Sequence, residues 1–135
     1  IILHSFIIFY FFTNVEDQKS KLPQLLFDHM FADFDSNLRE MGFGDIAVNK
    51  RMKQFIKAFY GRIFNYNKGL SQLKKFNDDN VLKETIIKNI YKDNNSEIEC
   101  VNFWSEYIIN NVNYLNNRTL DQNIDNYFHF KQLNV

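Results

Sequence analysis

Apolar side chains recur three and four positions apart along three long stretches of this chain, the spacing that lines up one face of an α-helix. The first stretch covers residues 22–41 and carries Leu26, Phe27, Met30, Phe31, Phe34, Leu38 and Met41. Pro23 stands in its first turn, where a missing N–H has no partner to lose. On the opposite side Asp35 and Arg39 lie four apart and are expected to pair. The second stretch follows Gly42-Phe43-Gly44-Asp45 and places Val48, Met52, Phe55, Ile56, Phe59, Ile63 and Tyr66 on its buried side, with Lys50, Lys53, Lys57 and Lys68 on the far side. The third covers residues 96–116 and buries Ile98, Val101, Trp104, Ile108, Val112 and Leu115.

The punctuation between these stretches predicts their ends. Gly42 reads as the left-handed residue just past the first helix. Asp45 reads as the cap of the second, its carboxylate accepting an N–H from Ala47 or Val48. Gly69 is expected to close that helix and to leave residues 70–76 as a short helical turn. Asp78 or Asp79 then caps a helix with Leu82, Ile86 and Ile90 buried. Residues 13–21 and 92–96 read as polar connections, 119–127 as a last short helix and 128–135 as an extended tail. With no internal repeat and no long linker, the prediction is all-α: a single compact domain over residues 1–135, with about five to six helices and two long ones meeting at a Gly-x-Gly-Asp corner.

Residues 1–12 are almost wholly apolar but well short of the roughly 20 residues a membrane-spanning helix needs. A buried helix is the favoured reading. The alternatives are a membrane-surface segment or the tail of a longer apolar stretch upstream. The chain opens on Ile1 and is apolar from the start, so it reads as a fragment or processed form that begins inside a helix and lacks N-terminal helices.

Composition supports helices over strands: 135 residues include 15 Phe but only four glycines and one proline. The 16 basic and 16 acidic residues cancel. A neutral chain has no global field to hold a polyanion, so direct DNA binding is not expected. Cys100 is the only cysteine. It cannot form an internal disulfide and is expected to be a small buried hydrophobe, with Glu97 and Glu99 beside it disfavouring a thiolate.

The motifs that carry chemistry are missing. None of His4, His29 and His129 belongs to an HExxH or Glu-x-x-His pattern, so no zinc or di-iron ligand set is legible. His29, Asp33 and Glu40 share a stripe of one helix, which reads as a solvated face rather than a metal site. Gly42-Phe43-Gly44 follows a helix, not a strand, and so reads as a corner rather than a phosphate loop. No nucleophile elbow is present. Neither catalysis nor a cofactor is expected. A mid-helix glycine costs about 1 kcal/mol relative to alanine. Gly61, with Gln54, Ala58 and Asn65, therefore suggests a small-residue face that another backbone approaches, either a helix of this chain or one of a partner.

Three elements of sequence carry a resemblance: Leu26-Phe27-Asp28-His29-Met30-Phe31-Ala32-Asp33-Phe34-Asp35, Leu38-Arg39-Glu40-Met41-Gly42-Phe43-Gly44-Asp45 and Ala58-Phe59-Tyr60-Gly61-Arg62. At this separation the block resembles the core of the ubiquinol–cytochrome c chaperones, which help assemble the respiratory bc1 complex. Leu3-His4-Ser5-Phe6 is similar to the family's upstream helix, and Phe128-His129-Phe130 to its C-terminal end. Asn49 departs from the family's usual glycine, and Phe43 from its small aliphatic.

The resemblance implies an all-α, non-enzymatic chaperone that binds newly made cytochrome b. Its implied partners are a small helper protein and the ribosome exit region, with peripheral membrane association. Its implied place is the cytoplasmic face of a bacterial inner membrane or the mitochondrial matrix and inner membrane. The candidate partner-binding residues are Arg39, Phe43, Asp45, Lys53, Lys57, Gly61 and Arg62, with Arg39, Glu40 and Asp45 equally readable as locks on the corner through ion pairs and capping. Two rival readings are a ribosome- or RNA-associated adaptor using the lysine stripe of the second long helix, and an enzyme with a lipid pocket.

Overall fold

The computed structural model describes residues 2–14, 21–92 and 98–117. They form five α-helices: α1 (Ile2–Asn14), α2 (Leu22–Glu40), α3 (Asp45–Phe76), α4 (Asn80–Ile86) and α5 (Ile98–Asn116). A π-helical turn (Ile87–Tyr91) extends α4. Among the described residues there is no strand, as the periodicity predicts. The predicted helix over 119–127 and the tail over 128–135 lie outside the described residues.

Because α1 is apolar on every side, it is stable only when surrounded. The fold surrounds it. Phe6, Ile7 and Phe11 enter a large core with Tyr66 and Leu70 of α3, Leu82 and Ile86 of α4, and Val101, Ile108, Val112 and Leu115 of α5. Phe9 enters a second core with Phe31 of α2 and Phe59 of α3. Ile63 packs against both cores. Aromatic contacts fix the seating of α1, with Phe6 stacked on Tyr66 at 4.8 Å and Phe9 edge-on to Phe59 at 5.6 Å. No helix among the described residues is long and apolar enough to cross a membrane.

His4 sits at the edge of the large core, its Nε2 2.8 Å from the Tyr107 hydroxyl. Burial lowers its pKa below the ordinary histidine value. An unfolded chain therefore takes up a proton before the folded one does. Stability is expected to hold above the ordinary histidine pKa and to decline as pH falls below it. Urea midpoints taken between about pH 7 and pH 5 should show this slope, and His4→Gln should flatten it.

Several sequence expectations are corrected by the packing: Met41, expected on the buried stripe of the first helix, is its C-cap and is 74% exposed. Gly69 does not end the second helix, because α3 continues for 32 residues to Phe76. A Cβ on Gly69 would lie 2.8 Å from the Leu82 Cα, so the glycine is there to let α4 approach. The helix ends instead at Asn77, left-handed at φ 54°, a conformation asparagine tolerates. Ile90 is more exposed than expected, since the wider π-helical turn rotates it out of the α-helical register. Ile98 and Cys100 are exposed, because the first turn of α5 projects past the core that begins at Val101. Of the two aspartates before α4, Asp78 accepts the Asn80 N–H at 3.0 Å, while Asp79 pairs with Lys83 at 2.8 Å.

Candidate functional site

The corner between α2 and α3 is built almost entirely from short-range chemistry. Gly42 has φ +87°, which a side chain would resist, and its N–H donates to the Arg39 carbonyl at 2.9 Å. The Phe43 N–H donates back to the Leu38 carbonyl at 3.2 Å. This pair of bonds is a Schellman stop, as the sequence predicts for Gly42.

The predicted cap of α3 is displaced by one residue. Gly44 occupies the N-cap position and no side chain caps the helix, while Asp45 is the first helical residue. The Asp45 carboxylate instead accepts a hydrogen bond from Arg39, whose Nε also donates to Asp35 at 2.6 Å. The hydrogen bonds that Arg39 donates to the Asp35 and Asp45 carboxylates raise its pKa and hold its charge in place. A guanidinium within reach outcompetes a local N–H for the aspartate, which explains the missing cap. Phe43 closes the corner from the other side, with the Arg51 guanidinium 4.2 Å from its ring centroid. Arg39, Phe43 and Asp45 thus all engage within the corner.

Beyond the corner, α2 and α3 border an open apolar groove of about 520 Å³. Phe31 and Phe34 of α2 form one wall, and Gln54, Phe55, Ala58, Phe59 and Arg62 of α3 form the other. Phe59 is buried at the base, while Phe55 is 45% exposed. Phe34 and Phe55 meet edge-on where the two walls join, with ring centroids 6.2 Å apart.

Of the residues singled out from sequence, Arg62 lines this groove. Gly61 adjoins it, exposed, and apart from its own turns of helix nothing among the described residues lies within 4 Å of where its Cβ would stand. The described helices therefore do not supply the close approach that its sequence suggests. Lys53 and Lys57 are exposed and lie around the helix from the groove, Lys57 by the roughly 100° that separates it from Ala58. His29, Asp33 and Glu40 are exposed, and no cluster of metal-ligating side chains occurs among the described residues.

Sequence reasoning missed the groove's aromatic walls. Phe34 and Phe55 fall in perfect helical register with core residues, and periodicity cannot separate a side chain that reaches the core from one that stops at its edge. Net charge also concealed an asymmetry. α3 carries eight of the chain's 16 basic residues and one of its 16 acidic ones, whereas α2 carries four acidic residues and one basic.

No curated protein and no solved structure matches this chain. The sequence model of the family described as Ubiquinol-cytochrome C chaperone matches residues 1–130, nearly the whole chain and all of the groove and corner, and the chain belongs to that family.

Proposed function

We propose that this protein is a non-enzymatic assembly chaperone that holds newly made cytochrome b during biogenesis of the ubiquinol–cytochrome c reductase. The observation that carries the reading is the open groove between α2 and α3, apolar and aromatic-walled, in a member of this family. A membrane protein outside its bilayer presents apolar helices that need a surface of matching chemistry. Phe34 and Phe55 offer that surface. Small residues at Ala58 and Gly61 leave room for a client backbone to come close, as small residues do between membrane helices. Arg62 at the groove supplies a charge for a client carbonyl or carboxylate. Arg39, Phe43 and Asp45 act on the client indirectly, by fixing the angle at which α2 leaves α3.

The test is recovery of cytochrome b with the tagged protein from cells translating it. Ala58→Leu fills the groove with a good helix former at an exposed position, so folding should be retained. Capture is expected to fall about tenfold, equivalent to about 1.4 kcal/mol of binding. Unchanged capture by this variant would remove the groove from the account. Absence of cytochrome b from the wild-type eluate, or normal complex III in a deletion strain, would remove the function.

A further inference from the structure

We propose that the outer face of α3 docks on an anionic phospholipid bilayer, a role beyond holding the client. Ile46, Lys50, Lys53, Lys57, Phe64 and Lys68 follow one another at helical spacing on a single exposed face. From Ile46 to Lys68 the row covers 22 steps of helical rise, about 33 Å at 1.5 Å per residue. Ile46 is 88% exposed and Phe64 69% exposed, although both are large and apolar. Asp45 is the only acidic residue in α3, and its carboxylate is engaged by Arg39, so no anion on this helix neutralises the lysines.

Each part of the row matches one layer of a bilayer surface. Lysine ammonium groups reach phosphate headgroups while their stems lie along apolar material. Ile46 and Phe64, near the two ends, are placed to enter the boundary between headgroups and acyl chains, as in helices that lie in the membrane plane. Anionic lipid attracts each such lysine, and the attraction is screened by salt. RNA would explain the lysines but not Ile46, which cannot stack on a base. The groove lies around the helix from this face, so a protein held flat on the bilayer by α3 keeps its groove free for a segment still to be inserted.

Flotation of the full chain with vesicles of phosphatidylcholine, alone or mixed with phosphatidylglycerol, tests the proposal. Binding is expected only with phosphatidylglycerol and should weaken as salt is raised. Replacing the row's lysines by Lys50→Glu, Lys53→Glu and Lys57→Glu should lower partitioning about 100-fold. The same number of reversals at the exposed Lys21, Lys74 and Lys88 should lower it far less. Phe64→Ser, at unchanged charge, should also weaken binding. The proposal is overturned by no dependence on phosphatidylglycerol, by equal losses in the two triple variants, or by full binding of Phe64→Ser. Binding of poly(U) RNA without vesicle binding overturns it in favour of an RNA partner. Capture of cytochrome b in detergent should survive the Lys50, Lys53 and Lys57 reversals, so failure of the docking surface is distinguishable from failure of the chaperone reading.

Discussion

Phe59→Ala is expected to destabilise the protein by about 3–5 kcal/mol, a large part of the roughly 5–15 kcal/mol that holds a domain of this size together. The side chain is 4% exposed and touches four aromatic rings: Phe9 of α1 at 5.6 Å, Phe27 and Phe31 of α2 at 6.0 and 5.5 Å, and its neighbour Tyr60 at 6.1 Å. It is the only α3 residue among the buried members of the smaller core, so truncation leaves a cavity where three helices meet. The remaining contacts between α2 and α3, such as Phe27 with Tyr60 and Phe34 with Phe55, lie at the partly exposed margin of this core. Loss of the ring should therefore loosen α2 and open the groove as well as lower the urea midpoint. Phe59→Leu, which refills most of the volume, should recover most of the stability. A cost below about 1 kcal/mol for the alanine variant would mean that the smaller core does not hold α2 in place.

The difference between the two cores also explains what the sequence made legible. Features that depend on neighbours in sequence were readable: the stripe of α2 as far as Leu38, the ion pair between Asp35 and Arg39, and the left-handed stop at Gly42. The displaced cap at Asp45 shows how narrow the margin is. One side chain six residues upstream, Arg39, was enough to redirect the carboxylate. Features set by residues distant in sequence were not readable. Gly69 is occupied from outside by Leu82, and nothing within its own helix signals that approach. Phe34 and Phe55 belong to the same stripes as Phe31 and Phe59, and only the tertiary packing leaves them at the edge of the core, where they line the groove. Arg62 and Gly61 could be singled out because a charged residue and a glycine break the stripe pattern. The charge segregation was hidden for a simpler reason: a sum over the chain cancels what the helices keep apart.

Gly61→Ala and Gly69→Ala should move stability in opposite directions, although both replace a glycine inside the same helix. Alanine gains about 1 kcal/mol over glycine from helix propensity alone. At Gly61, apart from its own turns of helix, nothing among the described residues stands within 4 Å of the added carbon, so most of that gain should appear, about 0.5–1 kcal/mol in urea unfolding. At Gly69 the added carbon would meet the Leu82 Cα at 2.8 Å and the Leu82 N at 2.9 Å. These are backbone atoms that no rotamer change can move aside, so α4 must shift away from α3. Leu82 and Ile86, both fully buried, shift with it. Overpacking of this kind costs about 1–3 kcal/mol and exceeds the propensity gain, and Gly69→Val should cost more still. A stabilised Gly69→Ala would mean that α4 sits further from α3 in solution. Under the proposed function, Gly61 would serve a contact with the client at the groove beside it, since no other described helix uses the space it leaves. Gly61→Ala should accordingly yield a more stable protein that captures less cytochrome b, and a variant gaining stability with undiminished capture would place the client's contact away from this residue.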